Sequence, residues 1–107
     1  MDTTTESQQI SGNIPQNFSL SQNYPNPFNP VTKIKFSLPH SSNQGAEAVK
    51  LVVFDILGRE AATLVNEKLS PGTYEVDWDG SNFNSGVYFY RIQAGSFIET
   101  KKMVLLK

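Results

Sequence analysis

From Thr32 onward, apolar and polar residues alternate one by one in short runs, and turn residues interrupt them. Successive side chains of a β-strand point to opposite faces, so a period of two fits half-buried strands and no helix. TKIKFSL (Thr32–Leu38) puts Ile34, Phe36 and Leu38 on one face and Lys33, Lys35 and Ser37 on the other, and Pro39 ends it. VKLVVFD (Val49–Asp55) is apolar on both faces, which places it centrally in a sheet. Leu57-Gly58-Arg59 reads as a hairpin turn with Gly58 at positive φ, and Glu60–Val65 reads as the return strand. NEKLSPG reads as a loop with its turn at Pro71-Gly72. TYEVDW (Thr73–Trp78) turns Tyr74, Val76 and Trp78 inward; GVYFYRIQA (Gly86–Ala94) does the same with Tyr88, Tyr90 and Ile92. Gly95-Ser96 turns the chain into a last strand, Phe97–Leu106, whose alternation breaks at Lys101-Lys102 and predicts a bulge there. GREAATLVNEKL could also wind as a short amphipathic helix, but Gly58 and Pro71-Gly72 at its ends suit a strand and loop. The sum is an all-β fold: an antiparallel sandwich of about seven strands.

The 107 residues suit one domain. Residues 1–20 are polar, with Asp2 and Glu6 as their charges and Ile10, Ile14 and Phe18 scattered among them. Such a stretch buries too little to offset its ordering entropy, so it is expected to be a flexible, disordered N-terminal linker ahead of a domain over 21–107. The chain has no cysteine, hence neither disulfides nor a thiolate metal site. A formal charge of −1 gives no footprint for nucleic acid or an anionic membrane. No apolar run approaches the roughly 20 residues that a bilayer-spanning helix needs. MDTTTESQQI has neither a basic nor an apolar region of a signal peptide, so export would require a signal upstream on a longer precursor.

NYPNPFNP (Asn23–Pro30) cannot join a helix or a central strand, because proline lacks a backbone donor and pushes its predecessor to extended geometry. Its place before the first strand suggests a structural use. The segment runs along the end of the sandwich, Tyr24 and Phe28 plug the core, and the asparagines satisfy local backbone groups.

Residues for catalysis are thin. His40 is the single histidine and sits in a loop, with Ser41 and Ser42 merely adjacent in sequence, so no catalytic triad or acid–base pair is assembled. Asp77-x-Asp79-x-Ser81 resembles the start of a calcium loop, but Asn82 stands at the glycine position and Tyr88 at the bidentate acid; Asp79 instead suits an Asx turn into Gly80. No metal, cofactor or small-molecule substrate is expected. Tyr74, Trp78, Tyr88 and Tyr90 share the inward phase, which favours core over a sugar-stacking platform. Phe54, Phe83 and Phe89 lie on the outward phase or in a loop and are the better candidates for outside contacts. Lys101, Lys102 and Lys107 form a small basic cluster, which serves either to protect a sheet edge or as a handle.

The ordered set YPNPFNP-x-T-x-I-x-F, V-x-L-x-V-F-D-x-L-G-R-E, G-x-Y-x-V-x-W-D-G, S-G-V-Y-F-Y-R-I-x-A-G and T-K-K-M-V-L-L-K resembles the type A C-terminal sorting domain of the type IX secretion system. The likeness runs from about Ser21 to Lys107. The V-x-W-D-G…G-x-Y part also looks like the immunoglobulin-like domain of flagellar hook-capping proteins. The resemblance implies an immunoglobulin-like sandwich that delivers cargo and does no catalysis. It implies a signal peptide on the precursor, periplasmic transit, recognition by the outer-membrane translocon, removal by a sortase-like peptidase, and release or surface attachment, in Bacteroidetes and related phyla. Its motifs carry over to Pro25, Asn26 and Pro27, to Gly86 and Tyr88, and to Lys101 or Lys102. With Tyr24 and Phe28, these residues give the expected recognition set, and NYPNPFNP and TKKMVLLK are expected to border one face.

Two other readings compete. A carbohydrate-binding or adhesive module on a secreted enzyme predicts an exposed aromatic row. A hook-cap-like assembly domain predicts self-association.

Overall fold

The structure, a computed structural model, describes residues 8–11, 14–40 and 46–107, with side chains described from residue 14. Two four-stranded sheets account for nearly all of it. One has the order β1 (Gln8–Ser11), β6 (Gly72–Asp79), β3 (Val31–Leu38), β2 (Ser19–Leu20). The other has the order β5 (Glu60–Leu69), β4 (Glu47–Phe54), β7 (Gly86–Ala94), β8 (Phe97–Leu105). Every named pairing is antiparallel. The chain changes sheet between β3 and β4, between β5 and β6, and between β6 and β7, which is the Greek-key connectivity of an immunoglobulin-like sandwich. Tyr88, near the start of β7, donates its hydroxyl to the Asn84 carbonyl at 2.8 Å, the corner by which such folds fix the turn between sheets.

The alternation places the core. Ile34, Phe36 and Leu38 of β3 meet Tyr74, Val76 and Trp78 of β6 in one layer. Leu51 and Val53 of β4 and Tyr90 and Ile92 of β7 form the other, each with 0 % exposure. β4 is central as its two apolar faces require: Val52, on the outward phase, is only 3 % exposed. The β4–β5 hairpin turns at Gly58 with φ of 84°. Asp55 secures it by accepting from the Leu57 and Arg59 amides at 2.9 and 3.0 Å and from the Arg59 side chain at 2.9 Å.

Four features depart from the sequence reading. β5 runs on to Leu69, so NEKL is strand and the turn shrinks to Ser70-Pro71. The ladder from Ala94↔Phe97 to Gly86↔Leu105 is unbroken, so β8 has no bulge at Lys101-Lys102. The inward phase there is held by Glu99 and Lys101, paired at 3.3 Å on an edge strand, and polar residues on that phase mimic a break in the pattern. Irregular register lies instead between β4 and β5, where Ala61 and Leu64 are extra residues and Leu64 is nonetheless buried, and between β1 and β6 at Gln9–Ser11. Finally, two strands fall within residues 1–20, where a linker was expected. β1 pairs with β6, and Leu20 of β2 enters the core at 5 % exposure. Residues 1–7 and 12–13 lie outside the described residues, as does the loop at 41–45.

Candidate recognition surface

The segment from Phe18 to Pro30 laces the two sheets together along the side closed by β2 and β8. It begins against both, with Phe18 stacked on Phe97 at 5.0 Å. It then follows β3: the Ser21 amide donates to the Lys35 carbonyl at 2.9 Å, and Tyr24 and Lys33 exchange backbone bonds of 3.0 and 2.9 Å. Next it crosses to β8. The Asn26 side-chain oxygen accepts from the Val104 amide at 3.0 Å. The Phe28 amide donates to the Val104 carbonyl, and the Leu106 amide to the Phe28 carbonyl, both at 2.9 Å. The Gln22 side-chain amide donates to the Lys102 carbonyl at 2.7 Å. At Pro30 the strap turns back into the first sheet, its carbonyl accepting from Gly80 at 2.7 Å.

This path explains the composition. A crossing strand has no regular ladder for its donors, and proline at 25, 27 and 30 removes three of them. The peptide bonds before all three prolines are cis. The remaining polar groups are matched one by one. Asn23, 2 % exposed, donates its side-chain amide to Thr32 Oγ1 at 2.9 Å and to the Pro25 carbonyl at 3.1 Å. Thr32, fully buried, donates to the same carbonyl at 2.9 Å. The Tyr90 hydroxyl reaches across from β7, donating to the Ser21 carbonyl at 2.6 Å and accepting from the Asn23 amide at 2.8 Å. Burial pushes the Tyr90 hydroxyl up to about 12, against the opposing pull of the Asn23 amide.

The two aromatics of the motif part company. Phe28 is 2 % exposed and packs on Trp78 at 5.7 Å, as the plug reading requires. Tyr24 is 79 % exposed and plugs nothing. Its backbone is fixed to Lys33 on an outer face of β3, so its side chain is carried outward; Asn23 takes the inward place. Tyr24, Pro25, Asn26 and Pro27 therefore form one exposed stretch between two buried anchors.

Of the other expected recognition residues, Gly86 and Phe28 flank Leu105 from opposite sides. Tyr88 is buried and supports Phe28 through their shared neighbour Trp78, 5.4 Å from Tyr88. Lys102 is exposed beside the strap, while Lys101 points inward to Glu99. The expected basic cluster is dispersed: Lys107 folds away, its ammonium donating to the Ser81 and Phe83 carbonyls at 2.6 and 2.8 Å. Phe83, expected to be available for outside contacts, packs on Trp78 at 5.2 Å and on Tyr88 at 6.2 Å. The sequence reading missed Gln22, Thr32 and Tyr90 as residues that hold the strap, and gave Asn23 only the local backbone role that its bond to the Pro25 carbonyl fulfils. The buried-phase threonine and tyrosine were its only visible signal.

The remaining candidates resolve simply. Asp79 accepts from the Ser81 amide at 2.9 Å and its hydroxyl at 2.5 Å, an Asx turn that holds its carboxyl below the usual range. Asp77 pairs with Lys33 at 2.9 Å. His40 is exposed. Tyr74, Trp78, Tyr88 and Tyr90 are all buried. Among the described residues, no three His, Cys, Asp or Glu side chains cluster as a metal site would require.

Among known protein families, the secretion system C-terminal sorting domain matches residues 22–106. No curated protein matches the chain. The matched stretch opens at Gln22, within the strap, and closes at Leu106, whose amide is bonded to Phe28.

Proposed function

Because the chain belongs to the family of secretion system C-terminal sorting domains and so carries a type IX sorting signal, we propose that it directs an upstream cargo protein through the type IX translocon of the outer membrane. The exposed Tyr24–Pro27 stretch, together with Lys102 and the end of β8, is the face that the machinery reads. Phe28, Gly86 and Tyr88 hold that face in shape, and Lys101 braces β8 through Glu99. After passage a sortase-like peptidase cuts ahead of the sandwich, and the cargo is released or stays at the cell surface. The observation that carries this reading is the hydrogen-bonded junction of Phe28 with Val104 and Leu106, which joins the two motif-bearing segments into one surface. The burial of the four inward aromatics gives no support to a sugar-binding platform.

The experiment is a fusion of residues 1–107 behind a periplasm-directed fluorescent reporter, in a bacterium with a type IX system and in its translocon-deficient strain. Translocon-dependent appearance of reporter in medium or on the surface is expected. Folded, intact fusion retained in the periplasm of both strains would refute the proposal.

A further inference from the structure

The outer face of the β5–β4–β7–β8 sheet differs from its counterpart. On the other sheet Lys33 and Asp77 face each other and pair. Here the register sets out rows: Glu60–Phe54–Phe89–Lys102, then Thr63–Val52–Arg91–Thr100, then Asn66–Lys50–Gln93–Ile98, then Lys68–Ala48. Each strand contributes one cation, and each cation lies one row further on: Lys102 on β8, Arg91 on β7, Lys50 on β4 and Lys68 on β5. Strands about 4.8 Å apart, with same-face residues roughly 6.7 Å apart along each, make every step about 8 Å and the whole diagonal about 25 Å.

All four cations are exposed. Among the described residues none has a carboxylate within 4.0 Å; the ion pairs formed are Lys33–Asp77, Arg59–Asp55 and Lys101–Glu99. Glu67 shares the inward phase of Val49, and burial, with the Glu67 charge adding to it, raises the Tyr74 hydroxyl on the opposite sheet. Glu47 packs against Gly95 at the margin, and Glu60 sits at the far corner from Lys102. A hollow lies at each end of the diagonal. One, of about 510 Å³, is lined by Lys50 and Lys68 with Glu47 and Glu67 on its wall; the other, of about 280 Å³, is lined by Phe54, Ile56, Phe89 and Arg91, with Asp55, already bonded to Arg59, at its edge. The Arg91 guanidinium already lies over the Phe54 ring at 4.8 Å, and Ile56 is 69 % exposed.

We propose that this diagonal is a docking track for an extended, acidic stretch of polypeptide, anchored by an apolar side chain in the Phe54–Phe89 hollow. Three observations select that occupant. The positive charges form a line, whereas a bilayer presents a plane of headgroups. An extended peptide places same-face side chains about every 6.7 Å, close enough to the cation spacing for flexible lysines to follow. The aromatic hollow suits an apolar side chain, which an anionic polysaccharide lacks. The track shares Lys102 with the face proposed above and otherwise lies on the outer sheet, away from the Tyr24–Pro27 stretch; the inference does not rest on the sorting role.

The test is fluorescence anisotropy with the full chain and a labelled dodecapeptide carrying Asp at alternate positions and two Leu at one end, at low salt. Binding that weakens steeply with salt is expected. The Lys50→Gln/Arg91→Gln/Lys102→Gln variant should weaken it about tenfold or more, whereas Lys33→Gln/Lys35→Gln should change it less than about twofold. Phe89→Ser should reduce affinity for this peptide and leave a peptide without the leucines unaffected. Urea melts check that each variant is folded, with Arg91→Gln alone replacing the triple variant if it is not. Equal loss from both charge variants would reduce the effect to net charge and overturn the proposal. No binding, or binding of polygalacturonate or phosphatidylglycerol vesicles in place of the peptide, would overturn it too.

Discussion

Replacing Phe28 by alanine asks whether the strap belongs to the cooperative core. Phe28 is 2 % exposed and lodged against Trp78. A buried aromatic removes roughly 150–250 Å² from water, worth about 4–6 kcal/mol at 25 cal/mol per Å². Measured Phe→Ala substitutions in cores cost about 3–5 kcal/mol, so about 4 kcal/mol is the expectation. A domain of this size has about 5–15 kcal/mol in total. In urea, with a slope near 1.5–2 kcal/mol per M, the midpoint should fall by about 2–3 M at unchanged slope. Tyr24→Ala, four residues away and 79 % exposed, should cost about 0.5 kcal/mol or less. The pair separates support from recognition: in the export assay Tyr24→Ala should fail while melting normally. A Phe28→Ala midpoint within 0.5 M of the parent, roughly 1 kcal/mol by the same slope, would mean that the strap frays independently. The junction with β8 would then not be part of the folded unit.

Other outcomes follow from named contacts. Tyr90→Phe leaves the Asn23 amide and Ser21 carbonyl without their partner and should cost about 1–3 kcal/mol in the same melts. Because burial raises the Tyr90 hydroxyl from 10.0 to about 12, its contribution is complete below pH 10 and lost as pH rises towards 12; Tyr90→Phe should abolish that part of the alkaline decline. Asp55 and Asp79, held below 3.8 chiefly by hydrogen bonds from Arg59 and Ser81 respectively, should titrate late in carboxyl-carbon NMR. Whatever stability they add is present above 3.8 and lost as pH falls through their folded-state values. Gly58→Ala meets no neighbouring atom but demands φ near 84°, so it should cost about 1–2 kcal/mol from backbone strain alone.

The strands and their faces were legible because the core writes itself at period two. Ile34, Phe36 and Leu38, or Tyr88, Tyr90 and Ile92, could face inward together only in one register. The extent of β5 was not legible: its Asn66-Glu67-Lys68 run is exposed on an edge strand, where composition does not distinguish strand from loop. β8 misled for a related reason, since an ion pair can occupy inward positions on an edge. The Leu20 strand was hidden by the polar company it keeps. In the candidate site, the segments that meet were legible from the motifs, but the direction of each side chain was not. Tyr24 and Phe28 differ only in which sheet their backbone joins, and that is a tertiary fact.

The strap's contacts join residues 78 and 80 positions apart, Asn26 with Val104 and Gln22 with Lys102. Half of the proposed face is thus spelled near one end of the sandwich sequence and half near the other. Neither half has the shape alone, and an unfolded chain has both halves without the surface. A receptor that touches both reads completion as well as identity. On the proposed reading, chains broken off before Val104, nicked so that the ends drift apart, or still unfolded lack half of the face, and admission to export would double as inspection of the folded product.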